Sequence, residues 1–104
     1  MAALVTETSD HFLQTIIDVT VPRTLFGRVL LTGDAAFVVR PHTVGGTAKA
    51  AHEASMLARA LAGAKANVEA ALQSTERLQL EYGNALFEYG LALGNRWTKK
   101  CKPV

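Results

Sequence analysis

Cysteine is almost missing from this chain: Cys101 stands alone among 104 residues, so no intrachain disulfide can form. That thiol sits beside Lys99, Lys100 and Lys102 in a solvated basic tail and reads as an inert surface group. Long apolar runs are missing as well. Nothing approaches the roughly 18 consecutive apolar residues of a membrane span, and residues 1–10 lack the basic and apolar regions of a secretion signal. The expected setting is the cytoplasm, with no membrane partner. Strong charge of one sign is also lacking, since a formal net charge of +2 is too small to argue for nucleic acid. No metal site is expected. A Gly-x-Gly-x-x-Gly run, the glycine fingerprint that seats a dinucleotide diphosphate, occurs nowhere.

What is present points to a folded polypeptide: 49% hydrophobic and 19% charged residues are neither disordered nor membrane-spanning in composition. About 100 residues can bury a core, although a marginal one. The polar cluster closing residues 1–10 predicts a loop or ragged start. Residues 12–21 are rich in β-branched side chains and predict a strand, which Pro22 interrupts. The run 28–32, apolar at its centre, predicts a short buried strand ended by Gly33. Residues 40–46 read as a loop. The alanine-rich stretch 47–61 predicts a helix with Gly63 as its stop.

A second helix is predicted over about 67–93. Val68, Leu72, Thr75, Gln79, Tyr82, Leu86, Tyr89 and Leu93 recur at steps of four and three and so share one face. Thr75 and Gln79 interrupt the coiled-coil reading of that face. Gly83 and Gly90 weaken the helix by about 1 kcal/mol each, so tertiary packing must hold it. Gly94-Asn95 reads as its end. The chain thus divides into strands at 11–33, a motif and helix at 34–62, a closing helix at 67–94 and a tail at 95–104. The fold class is an α/β fragment, one or two short strands followed by two helices.

The stretch Gly33-Asp34-Ala35-Ala36-Phe37-Val38-Val39-Arg40-Pro41-His42 carries the chemistry. A carboxylate after a strand, followed by a glycine-bearing turn and a helix start, suits the holding of a cofactor. On spacing alone, Asp34 reads first as a turn-capping residue. His11 reads as a loop residue and His52 as a packing or surface residue of its helix.

Gly33, Asp34, Ala35, Ala36, Pro41, Gly46, Ala50, Glu53, Ala54 and Leu57 occupy the positions of the second flavin-contacting motif of the class A flavoprotein monooxygenases. The stretch 27–61 therefore resembles that family, the one typified by para-hydroxybenzoate hydroxylase. Phe37, the Arg40-Pro41-His42 run and Lys49-Ala50 are most similar to its dihydroxypyridine hydroxylase-like subgroup, with a looser likeness over 12–94. The resemblance implies the carboxyl-terminal part of a Rossmann-like domain binding flavin adenine dinucleotide, FAD. It implies that Asp34 accepts a hydrogen bond from the ribityl chain, a task suited to an acceptor-only carboxylate. Gly33, Pro41, Gly45, Gly46, Thr47 and Ala48 are implied cofactor contacts, Pro41 as a rigid wall and 45–48 as backbone donors at a helix start. Arg40 is implied either to offset flavin or substrate charge or to form an ordinary ion pair. His42 is the implied catalytic residue, orienting or deprotonating a phenol-like ring, against the plainer reading of a solvated loop histidine.

Three departures mark this version: Phe37 replaces a common histidine, Val44 a common glycine and Ala48 a common asparagine. The family uses NAD(P)H and O2 to hydroxylate an aromatic ring, and the flavin carries that oxygen chemistry. With no diphosphate fingerprint, the expectation is a segment inactive by itself. Two rival expectations stand beside it: a non-enzymatic helical module that self-associates, or half of a split flavoenzyme completed by an amino-terminal chain.

Overall fold

A computed structural model describes residues 2–43, 45–65 and 67–98. Val44, Cys101 and the lysines at 99, 100 and 102 lie outside the described residues, as does the side chain of His42. Two helices form most of the ordered mass. Helix α2 will denote Gly46–Gly63 and helix α3 Val68–Thr98; the short helix α1, Ala2–Glu7, precedes them. Strands β1 (Leu25–Phe26) and β2 (Val29–Leu30) pair antiparallel, Leu25 with Leu30 and Phe26 with Val29. The expected α/β fragment, a small sheet followed by helices, is therefore the observed architecture.

Helix α2 begins one residue before its predicted start and runs through Gly63, with Ala64 as its cap. A short connection at 64–67 contains Lys65 at φ +37°. Asn67 then opens α3: its Oδ1 accepts from the amide of Ala70 at 3.1 Å, the N-cap geometry that satisfies a first-turn donor. The helices run antiparallel, since His52 meets the ring of Tyr82 (centroids 4.6 Å apart) and Gly45 faces Leu86.

Several expectations need correction. Residues 12–21 form no strand, because β propensity yields structure only where a partner completes the ladder. Val19 alone is paired, in an isolated bridge with Val38 through two hydrogen bonds of 2.9 and 3.0 Å. The predicted strand at 28–32 shrinks to Val29–Leu30, and Val29 is exposed where burial was expected. What the sequence reading missed is a hairpin. Gly27 has φ +63°, and Gly27-Arg28 makes a two-residue turn of the kind that takes glycine first. The expected ragged start contains α1, built on good helix formers. Gly94-Asn95 does not end α3, which continues to Thr98 through the first residues of the predicted tail.

One stripe of α3 organises the rest. Glu76 Oε1 accepts from the amides of Thr24 (2.8 Å) and Leu25 (2.7 Å), and Gln79 Nε2 donates to the carbonyl of Leu31 at 2.8 Å. Gly83 lies under the ring of Phe37, Leu86 meets Gly45 and Gly90 meets Thr43. The steps of three and four between these positions place them on one helical face. Residues 24–43 and Gly45 lie lengthwise along that face, and α2 doubles back beside them. The buried stripe is rotated slightly from the predicted one: Tyr89 is exposed, while Gly83 and Gly90 are buried contact points.

The core is small and half polar. Leu25, Ala36, Phe37, Ala71 and Leu72 are its buried apolar residues; Thr24, Lys49, Glu53, Thr75 and Gln79 are equally buried. Phe12 (85% exposed), Leu13 (99%), Ile16 and Ile17 lie open to solvent. The radius of gyration is 18.3 Å, against about 13 Å for a compact domain of this length. Among the described residues, no helix is long and apolar enough to cross a membrane, and no acidic, histidine or cysteine cluster is placed to hold a metal ion.

Candidate functional site

Gly33 is the pivot of the site. Its φ of +61° falls in the left-handed region, where side chains are strained, although the space around its Cα is open. Glycine is thus required here by the backbone and not by crowding. Gly33–Ala35 form a single 3-10 turn, and the Gly33 carbonyl accepts from the amides of Ala36 (3.2 Å) and Phe37 (3.1 Å). This turn replaces the expected strand end and carries Asp34 outward, with its side chain exposed.

Helix α2 grips that turn from beneath. Glu53 Oε2 accepts from the Gly33 amide at 2.6 Å, and Lys49 Nζ donates to the Gly33 carbonyl at 2.8 Å. Lys49 and Glu53 are themselves 2.9 Å apart, one helical turn from each other, with side chains only 1% exposed. Lys49 Nζ also lies 5.7 Å from the centre of the Phe37 ring.

An open depression of about 480 Å³ lies on the outer side of this arrangement, lined by Gly33, Asp34, Gly46, Thr47 and Ala50. Four of these five were singled out from sequence. Ala50 was placed in the motif without a contact role, and its small size leaves the wall open. The first amide groups of a helix have no acceptor within it, so the start of α2 presents donors on the same side as the Asp34 carboxylate. One acceptor-only anion beside a helix start, with walls of glycine and alanine, suits a polar ligand able both to donate and to accept hydrogen bonds.

The remaining predicted residues are distributed elsewhere. Gly45 spends its amide on Thr43 Oγ1 at 3.2 Å, and that hydroxyl donates to the Arg40 carbonyl at 2.8 Å. Neither Gly45 nor Ala48 lines the depression. Pro41 opens a 3-10 turn, Pro41–Thr43, within the predicted loop, and borders a different hollow of about 220 Å³ with Gln14, Thr15, Ile16, Ile17 and Val38. Arg40 forms the ion pair allowed for it: its Nε lies 2.6 Å from Asp18 Oδ2, both groups partly buried. His42 has its backbone in the Pro41–Thr43 turn. His11 approaches the carbonyl of Thr8, as a loop residue would. Sequence reasoning missed the Lys49–Glu53 clamp. Its signal was there in the four-residue spacing of opposite charges inside the motif.

No family model matches the chain. Over 82 residues it is 43% identical to 2,6-dihydroxypyridine 3-monooxygenase of Paenarthrobacter nicotinovorans, a match covering 79% of this chain and 20% of that protein. The solved structure of 2,6-dihydroxypyridine-3-hydroxylase from Arthrobacter nicotinovorans superposes with a TM-score of 0.71 at 40% identity, over 78% of this chain and 20% of that one. The chain thus spans about a fifth of the length of the proteins it matches.

Proposed function

We propose, for a chain that is by sequence and fold a flavin-monooxygenase segment of the dihydroxypyridine hydroxylase kind, that it supplies one wall of an FAD site. The complete enzyme of this kind hydroxylates an aromatic or N-heteroaromatic ring with NAD(P)H and O2. The observation that carries this reading is the meeting of Asp34, Gly33, Gly46 and Thr47 around one depression at the start of a helix. Bound there, the flavin supplies the redox and oxygen chemistry. The chain's own residues do simpler work. Asp34 accepts a hydroxyl hydrogen bond, and the amides at the start of α2 face the edge of the ring system where negative charge gathers. Such a helix start favours an anion by about 0.3–1 kcal/mol, more when water is excluded. Pro41 stiffens the loop between them, and His42 is assigned to the aromatic substrate. Arg40, held by Asp18, orders residues 38–41 against 18–19 and is not assigned to the cofactor.

The test is a hybrid enzyme. The matched 82-residue stretch of the Paenarthrobacter enzyme is replaced by its counterpart from this chain. The hybrid is expected to purify yellow with bound FAD. Asp34→Ala in it should weaken FAD binding by about 10-fold or more, the value of one charge-assisted hydrogen bond. A folded but colourless hybrid, or undiminished affinity in the variant, overturns the reading. The chain alone is expected to bind FAD weakly or not at all and to show no turnover. The exposed row Phe12, Leu13, Ile16 and Ile17 favours a second reading, a half-enzyme completed by another chain. Co-purification of flavin with such a pair separates the two.

A further inference from the structure

We propose that the buried Lys49–Glu53 pair is a positioning device: it fixes the peptide of Gly33 and thereby aims Asp34 into the depression. The cofactor role of Asp34 rests on the reading above; the clamp stands on geometry alone.

Three observations carry it. First, the two charges take hold of both polar atoms of one residue, Glu53 the amide and Lys49 the carbonyl of Gly33. Gly33 directly precedes Asp34 and adopts φ +61°, the conformation of the least restrained residue type. A glycine there gives the turn its shape but no rigidity, so rigidity must come from outside. Second, the Gly33 carbonyl is the oxygen on which the Asp34-bearing turn closes, through Ala36 and Phe37. Lys49 adds a charged donor to that oxygen.

Third, the energetics demand an explanation. Taking both charges out of water costs more than their attraction returns unless further hydrogen bonds satisfy them, and an apolar pair of equal volume is often as stable. Here those further bonds all go to Gly33. The stretch of α2 that supplies the clamp also supplies Gly46, Thr47 and Ala50 to the depression. One rigid element therefore sets the donors and, through the clamp, the carboxylate opposite them.

The experiment reads the Gly33 amide in the full chain by NMR and hydrogen exchange. In the unmodified chain that amide should resonate far downfield and exchange at least about 100-fold more slowly than free peptide. Glu53→Gln and Lys49→Gln should each lose at least about 10-fold of that protection, and lose more of it than amides in the middle of α3 lose of theirs. Lys49→Arg should restore it, because charge and donors return; a mere packing role would not predict that rescue. An unprotected Gly33 amide in the unmodified chain overturns the clamp, so the proposal is decided even where a variant fails to fold. So does unchanged protection in folded variants.

The hybrid enzyme reads the consequence. Glu53→Gln there should weaken FAD binding about as much as Asp34→Ala does. Lost Gly33 protection with undiminished FAD affinity overturns the positioning role. A colourless hybrid beside a chain whose Gly33 responds as expected sinks the cofactor reading and leaves the clamp standing.

Discussion

Gly83→Ala is expected to destabilise the chain by about 1–3 kcal/mol, the usual cost of overpacking, although alanine is the better helix former. In the middle of a helix, glycine gives up about 1 kcal/mol to alanine, and from sequence alone the substitution reads as an improvement. The contact geometry reverses the sign. A Cβ on Gly83 would lie 2.6–2.7 Å from three atoms of the Phe37 ring. Phe37 is 1% exposed and has no open side to swing toward. Gly63→Ala is the matched control: it closes the other helix, nothing lies within 4 Å of its added methyl, and it should cost nothing. Urea unfolding followed by circular dichroism distinguishes them. A Gly83→Ala midpoint at or above that of the unmodified chain would falsify the close approach of α3 to Phe37.

Removal of one member of the Lys49–Glu53 pair should have the larger effect. Either Lys49→Met or Glu53→Leu leaves one charge buried without its partner, at a cost of about 3–5 kcal/mol. Whole domains have only about 5–15 kcal/mol of stability, and this small, half-polar core belongs at the low end. Each single variant should therefore keep at most about 2 kcal/mol and unfold at a far lower urea concentration than the unmodified chain. The double variant Lys49→Met/Glu53→Leu is the sharper measurement. Replacing a buried pair by apolar residues commonly restores stability, but here the Gly33 amide loses its acceptor. A buried donor left unpaired costs about 1–3 kcal/mol. The double variant should thus recover part of the loss and stop short of the unmodified chain. Recovery to full stability in the same urea titration would mean that Gly33 has no need of the pair.

How much of this was legible in the residues depended on whether the signal was local. Helix α2 announced itself through uninterrupted alanine-rich propensity, and α3 through side chains recurring at steps of four and three from Val68 onward. Gly33, Asp34, Gly46 and Thr47, all singled out by the motif, line one depression, because the motif's spacing encodes a turn and a helix start. Residues 12–21 misled, since β-branched composition says what a strand would accept and not whether a neighbouring strand exists. The hairpin at 25–30 escaped notice because two-residue strands carry almost no periodicity. Gly83 and Gly90, seven residues apart, were read as weaknesses of the helix; paired glycines on one face also permit close approach, and that is their role here. Pro41 and Arg40 sat inside the motif by sequence, yet Pro41 borders a second hollow and Arg40 pairs with Asp18.

The half-polar core has a thermal consequence. Unfolding raises heat capacity in proportion to the apolar surface newly wetted, about 12–15 cal/mol/K per residue in ordinary domains. Here Thr24, Lys49, Glu53, Thr75 and Gln79 take up much of the interior, and Phe12 and Leu13 are already wet. The increment should be correspondingly small and the stability curve shallow. The fold then gains little on moderate cooling and loses its structure over a broad span of temperature when heated.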